Sequence, residues 1–99
     1  MVLEHALITI RPGTADDFEA ALLRARPLIA GSHGFISLEL HRGVELPNQY
    51  LLLVEWESVD DHLVGFRQSE AFPEWRALIG LYFASQPVGE HFVPVDELV

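Results

Sequence analysis

The alternation of apolar and polar residues predicts four β-strands. The first covers residues 2–10, which are mostly aliphatic, and ends at the turn-forming sequence Arg11-Pro12-Gly13. The other three strands are predicted at residues 34–42, 50–57 and 87–95. Residues 50–57 are apolar on both faces, which is typical of a central strand in a sheet that is covered on both sides.

Two regions between these strands have apolar residues at the spacing of amphipathic helices. The first helix begins after Thr14, which is expected to cap it, and ends at Gly31. The second begins at Ser58, breaks near Arg67-Gln68-Ser69 and continues through Tyr82. The serine at the break is expected to cap the second segment, so this region counts as two helices.

The resulting element order, β-α-β-β-α-α-β, predicts the fold class. It is α+β, with the ferredoxin-like split arrangement of a four-stranded antiparallel sheet and the strand order 4-1-3-2. A chain of 99 residues has room for one domain, so we expect a single domain over residues 1–99.

The hydrophobic content predicts a homodimer. Hydrophobic residues make up 49% of the chain, which is more apolar surface than a small monomer can easily bury. One face of the predicted central strand can be covered by the chain's own helices, whereas nothing remains to cover the other. A second copy of the chain is the simplest cover.

The charge balance narrows the range of partners. Asp and Glu total 15 against six basic residues, giving a formal net charge of −9. Nucleic acid and anionic membranes would be repelled, so neither is an expected partner. The chain contains no cysteine, which fits a reducing cytoplasm, and its first ten residues have neither the charge nor the apolar run of a signal peptide or anchor.

The second half of the chain resembles the antibiotic biosynthesis monooxygenase family. The resemblance rests on Trp56-Glu57-Ser58 followed by Ser69-x-x-Phe72-x-x-Trp75, and it extends to His5 and His91 near the two ends. It implies a dimeric α/β barrel, in which two sheets pack face to face and each subunit has a pocket between its helices and sheet. Several members of this family oxygenate aromatic polyketides or quinols without flavin or metal, and others degrade haem.

Haem degradation is not favoured. In the haem-degrading branch of the family, an Asn, a Trp and a His form the site. The matching positions of this chain are His5, Phe66 and Arg76, so the haem-ligating histidine is missing. We therefore expect no cofactor.

Three histidines are the candidate catalytic residues, because histidine titrates near physiological pH and can deprotonate a phenol. The predicted topology brings His5, His62 and His91 towards one edge of the sheet. The candidate substrate-binding residues are Trp56, Phe66, Arg67, Phe72 and Trp75. Arg67 or Arg42 could stabilise a developing oxyanion, and the aromatic residues could line an apolar pocket.

Each candidate also has a structural interpretation, since histidines on strands and tryptophans at core spacing often only pack. The three histidines show no local metal-ligand spacing, so no metal is predicted. The leading hypothesis is a cofactor-independent monooxygenase of a small phenolic, quinol or polyketide-like substrate. The alternatives are a non-catalytic dimeric protein that binds a small aromatic ligand or serves as an accessory protein, and an isomerase or lyase on the same scaffold.

Overall fold

The computed structural model describes residues 1–96 as one sheet with a helical layer on one side. Four strands alternate with helical segments as the sequence predicts. The elements are β1 (Val2–Thr9), α1 (Ala15–Ala30), β2 (Phe35–Arg42), β3 (Gln49–Trp56), a π-helical turn (Asp61–Phe66), α2 (Ala71–Ile79), a 3₁₀ turn (Gly80–Tyr82) and β4 (Val88–Phe92).

The sheet has the strand order β2-β3-β1-β4, and every pair of neighbours is antiparallel. This confirms the ferredoxin-like topology. The last strand is shorter than the predicted 87–95, because pairing with β1 ends at Phe92. The sequence also predicts a polar tail over residues 96–99, of which residues 97–99 lie outside the described part of the chain.

One face of the sheet carries the core. Even-numbered residues of β1 and β3 point towards the helices, and the predicted apolar stripe of α1 packs against them. Burying each large aliphatic or aromatic side chain there stabilises the fold by roughly 1.5–3 kcal/mol. The buried hydrophobic residues of these three elements are Val2, Ala6, Ile8, Tyr50, Leu52, Val54, Trp56, Phe18, Ala21, Leu22, Ala25 and Ile29.

The opposite face of the sheet has no cover within residues 1–96. Odd-numbered residues of β1 and β3 lie there, and strand pairing places Val88 and Phe92 of β4 beside them. Leu7 is 46% exposed, Phe92 48% and Val88 71%. We refer to this surface as the open face. Exposed apolar side chains on an uncovered sheet face often mark an interface.

Local details differ from the sequence predictions at the helix starts. Thr14 and Ser69 do not cap their helices; each hydroxyl donates instead to the carbonyl oxygen three residues earlier, at 2.6 Å. Ser58, where the second helical region is predicted to begin, does act as a cap, since its Oγ accepts the Asp61 amide hydrogen at 3.1 Å. No helix among the described residues has the length and apolarity that crossing a membrane requires.

Candidate functional site

A π-helical turn orients the first two side chains of the site. The Arg67 amide donates to the His62 carbonyl oxygen at 2.9 Å, a bond spanning five residues. The wider turn directs both His62 and Phe66 inwards, where they are buried. Both rings lie against Trp56, with centroid distances of 5.3 Å for His62 and 5.9 Å for Phe66. Such turns are frequent at functional sites.

The start of this turn is held by Asp61. Its carboxylate accepts the Ser58 hydroxyl at 2.9 Å and lies 3.1 Å from Nδ1 of His33. Gly34 packs directly beneath this carboxylate, with a φ of +84°. A side chain at Gly34 would therefore collide with the group that fixes the turn.

Gly34→Ala is expected to destabilise the protein more than Gly13→Ala does. Gly13 also has a positive φ, of +81°, but a Cβ there would meet nothing within 4 Å. Both substitutions place an alanine in the left-handed backbone conformation, which costs about 1–2 kcal/mol. Only Gly34→Ala also causes a steric collision, which costs roughly 1–3 kcal/mol more. Denaturant unfolding of the two variants measures the difference, and equal losses would contradict it.

Glu4 of β1 is the buried carboxylate of the site. It is 8% exposed and lies on the helix-covered face of the sheet. Its Oε1 accepts the indole N–H of Trp56 at 3.0 Å and lies 3.3 Å from Nε2 of His62. Burial raises the pKa of Glu4, while the Trp56 hydrogen bond and the positive charge of Arg67 partly oppose this.

His62 bridges Glu4 and His91. Its Nδ1 lies 2.8 Å from Nε2 of His91, on the opposite side of the ring from Glu4. Burial, with smaller contributions from His91 and Arg67, lowers the pKa of His62 to about 4. His62 is therefore neutral at physiological pH. Neutral His62 carries one ring hydrogen, so its Nδ1 either donates to His91 or accepts from it.

A cavity of about 130 Å³ lies between the sheet and the helical layer. Its size is close to that of a cavity of about 150 Å³ that holds one benzene ring. Aliphatic and aromatic side chains form much of its wall, and Glu4, His62 and His91 are on it as well. Arg67 and Arg76 supply positive charge at the same cavity in a chain whose net charge is −9.

Six of the eight candidate residues come together at this cavity. They come from the π-helical turn, from the residue after it, from α2 and from β4. They are His62, Phe66, Arg67, Phe72, Trp75 and His91.

His5 and Trp56 occupy different places from those predicted. Neighbouring residues of a strand point to opposite faces, so His5 lies on the open face, with its ring 5.5 Å from that of Phe92. The predicted convergence of His5 with the other two histidines does not occur within the chain. Trp56 has 0% exposure and does not line the cavity, so it contacts no ligand there and instead donates to Glu4.

Sequence reasoning missed Glu4 and gave Arg76 no role in a pocket. The signal for Glu4 was present, since it is the one charged residue in the even-numbered series of β1, among Val2, Ala6 and Ile8. A carboxylate on the apolar face of a strand is exceptional and is often functional. Arg76 is one helical turn from Phe72 on α2, which places both at the cavity.

The polar groups of the site form a line. His62 lies between Glu4 and His91 and uses a different nitrogen for each, so the three do not surround a common point. Consistently, residues 1–96 contain no group of three or more His, Asp or Glu side chains arranged to hold a metal ion.

The four-stranded ferredoxin-like sheet, with its helices on one side, places the chain among small α+β domains. The family model described as antibiotic biosynthesis monooxygenase matches residues 1–78. The chain belongs to this family.

Relatives extend the comparison over nearly the whole chain. An uncharacterized protein of Bacillus subtilis, YczJ, is 42% identical over 95 residues, covering 96% of this chain and all of that protein. The crystal structure of a candidate antibiotic biosynthesis monooxygenase from Bordetella bronchiseptica is 46% identical, with a TM-score of 0.92 over 95% of this chain and 96% of the other.

A more distant structure shares the fold. SnoaB, a cofactor-independent oxygenase from Streptomyces nogalater, is 19% identical and has a TM-score of 0.80, covering 94% of this chain and 91% of its own. At this identity the similarity establishes the architecture alone.

Proposed function

We propose that the protein is a cofactor-independent monooxygenase that converts a single-ring phenol or quinol to a quinone. The observation that carries the proposal is the hydrogen-bonded pair of His62 and His91 on the wall of an aromatic-lined cavity. Membership of the family supports the reaction class. We further propose that the enzyme acts as a cytoplasmic homodimer whose two open faces pack together.

The chemistry needs a base and an anion-stabilising group. His91 removes the phenolic proton, and the electron-rich phenolate transfers one electron to O₂. The two radicals combine at a ring carbon bearing hydrogen, and the peroxide, once protonated, loses water to leave a carbonyl. One oxygen atom enters the quinone and the other leaves as water, so the substrate supplies all the electrons and no external reductant is needed.

The charges at the cavity favour the phenolate. Arg67 and Arg76 both line it, and positive charge near a developing oxyanion stabilises the anion. The Arg67 guanidinium also lies over the Phe72 ring, with its Cζ 5.3 Å from the centroid, which holds it beside the aromatic wall. The cavity volume favours one ring over a fused polycyclic system.

Oxygen consumption by the purified protein tests the proposal. A panel of phenols and hydroquinones with a free ring position is assayed without added metal or flavin, with fused-ring phenols for comparison. We expect single-ring substrates to be turned over above the autoxidation background. Loss of the base in His91→Ala should lower kcat about 100-fold.

Arg24→Ala is the control, because Arg24 is exposed on α1 and lies outside the cavity. It should retain the activity of the unmodified protein. If the phenols bind but no oxygen is consumed above background, the protein is a ligand-binding or accessory protein and the monooxygenase proposal fails. Substrate conversion without oxygen uptake would indicate an isomerase or lyase instead.

A further inference from the structure

Three ionisable side chains form a line of close polar contacts from the cavity wall into the core. His91 of β4 is hydrogen-bonded to His62 at 2.8 Å, and Nε2 of His62 lies 3.3 Å from Oε1 of Glu4 on β1. The line ends at Trp56, whose indole N–H donates to Glu4 at 3.0 Å. Trp56 can only donate, so it holds the carboxylate in place without taking up a proton.

The donors and acceptors in this line can be assigned by counting hydrogens. Oε1 of an ionised Glu4 would repel a bare ring nitrogen 3.3 Å away, so His62 carries its hydrogen on Nε2. Neutral His62 then has no hydrogen on Nδ1 and must accept the Nε2–H of His91. A neutral His91 consequently has a bare Nδ1, and within residues 1–96 that atom has no hydrogen-bond partner and is not buried. It is free to accept a proton from a ligand.

We propose that Glu4 is the final acceptor of the proton removed from the substrate, which reaches it through His91 and His62. The phenolic O–H gives its proton to Nδ1 of His91 as the Nε2 proton of His91 passes to Nδ1 of His62. The Nε2 proton of His62 then passes to Glu4. The products are a phenolate and a neutral carboxylic acid, and both histidines end neutral in the opposite tautomer.

Burial favours this end point over a positive histidine. A charged His62 is disfavoured by desolvation, whereas a protonated Glu4 removes a buried charge. The other charged groups facing the line are Arg67, after the π-helical turn, and Arg76 on α2. Both disfavour positive charge on the histidines and stabilise the phenolate. The relay thus separates the proton from the anion without charging an imidazole.

The inference rests on the proposed function, but it is tested without oxygen or turnover. The probe is 4-nitrophenol under anaerobic conditions, because its phenolate absorbs visible light and its para position is blocked. The buffer is held below the pKa of the free phenol. Three signals are followed: phenolate absorbance, the ¹⁵N shifts of the histidine rings and the ¹³C shift of the Glu4 carboxyl.

In the free protein we expect His62 and His91 both to carry their proton on Nε2. On binding, phenolate absorbance should appear, both histidines should move to the Nδ1–H tautomer, and the Glu4 carboxyl should become protonated. Glu4→Gln should abolish the tautomer switch and leave the bound phenol un-ionised. Glu57→Gln, an exposed carboxylate outside the cavity, should behave as the unmodified protein.

Several results would overturn the relay. They are a different pair of tautomers in the free protein, a doubly protonated His91 beside an ionised Glu4 in the complex, and a bound phenol that stays un-ionised. If Glu4→Gln fails to fold, the carboxyl shift of the unmodified protein decides the question. A relay that operates in a protein consuming no oxygen would instead locate the failure in the oxygenase chemistry.

Discussion

Replacing Leu53 with glutamate is expected to convert the proposed homodimer into monomers. Leu53 lies at the centre of the open face, paired with His5 on β1 and Glu39 on β2. In a symmetric dimer each substitution acts twice. Leu53 is already partly buried in the single chain, but each copy loses its remaining burial and would also place a carboxylate in an apolar contact. Together these changes should remove at least about 3 kcal/mol of association free energy, and the dissociation constant should rise at least about 10²-fold.

Light scattering after size exclusion, over a range of protein concentrations, measures the change. Leu23→Glu is the matched control, because Leu23 is 74% exposed on α1, in the helical layer on the other side of the sheet. It introduces the same charge and should leave the dimer intact. If Leu53→Glu still forms a dimer of unchanged affinity, the two sheets do not pack through their open faces.

The second large effect expected is a loss of stability in acid that depends on His62. Its pKa of about 4 in the folded protein lies below the ordinary value of 6.5. Neutral His62 therefore contributes stability above pH 6.5, and that contribution is lost as the pH falls towards 4. The lowering of the His62 pKa from 6.5 to about 4 corresponds to about 3 kcal/mol of unfolding free energy.

Glu4 acts in the opposite direction. The pKa of Glu4 is raised above its ordinary value of 4.5. The contribution of Glu4 to stability is therefore present below pH 4.5 and is lost as the pH rises. The contribution of His62 must therefore be obtained by comparison with a variant. We expect His62→Gln to have a shallower decline in unfolding free energy between pH 6.5 and 4 than the unmodified protein.

Urea unfolding at a series of pH values measures both curves. Arg24→Gln, which replaces an exposed residue of α1, should keep the pH dependence of the unmodified protein. If His62→Gln and the unmodified protein decline in parallel, His62 is not held neutral by the fold, and the argument for a neutral bridge between Glu4 and His91 fails.

Much of the fold follows from local patterns in the sequence. The apolar stripe of α1 is sufficient to predict a helix, because its apolar residues recur at helical spacing. The continuous apolar run of β3 is sufficient to predict a central strand. Two local departures from regular secondary structure cannot be predicted from such patterns. A β-bulge between Phe35 and Ser37 interrupts alternation in β2, and the π-helical turn inserts one residue into a helix.

The candidate site was only partly predictable. The predicted site residues on the helices and β4 reached the cavity because topology alone brings those elements together. His5 has the chemistry of a catalytic base, but it neighbours Glu4 on β1 and therefore points to the other face of the sheet. The hydrogen bond between Glu4 and Trp56 joins residues 52 positions apart, and its partners are fixed by strand register, which no local pattern gives.

The two faces of β1 have a consequence for how the chain can evolve. On many surface strands every second residue is free to vary, because it meets only solvent. In β1 the even positions hold the core and the proposed proton acceptor Glu4, while the odd positions, among them Leu3, His5 and Leu7, form the proposed dimer contact. Substitutions in such a strand should be tolerated less than substitutions on the exposed side of α1.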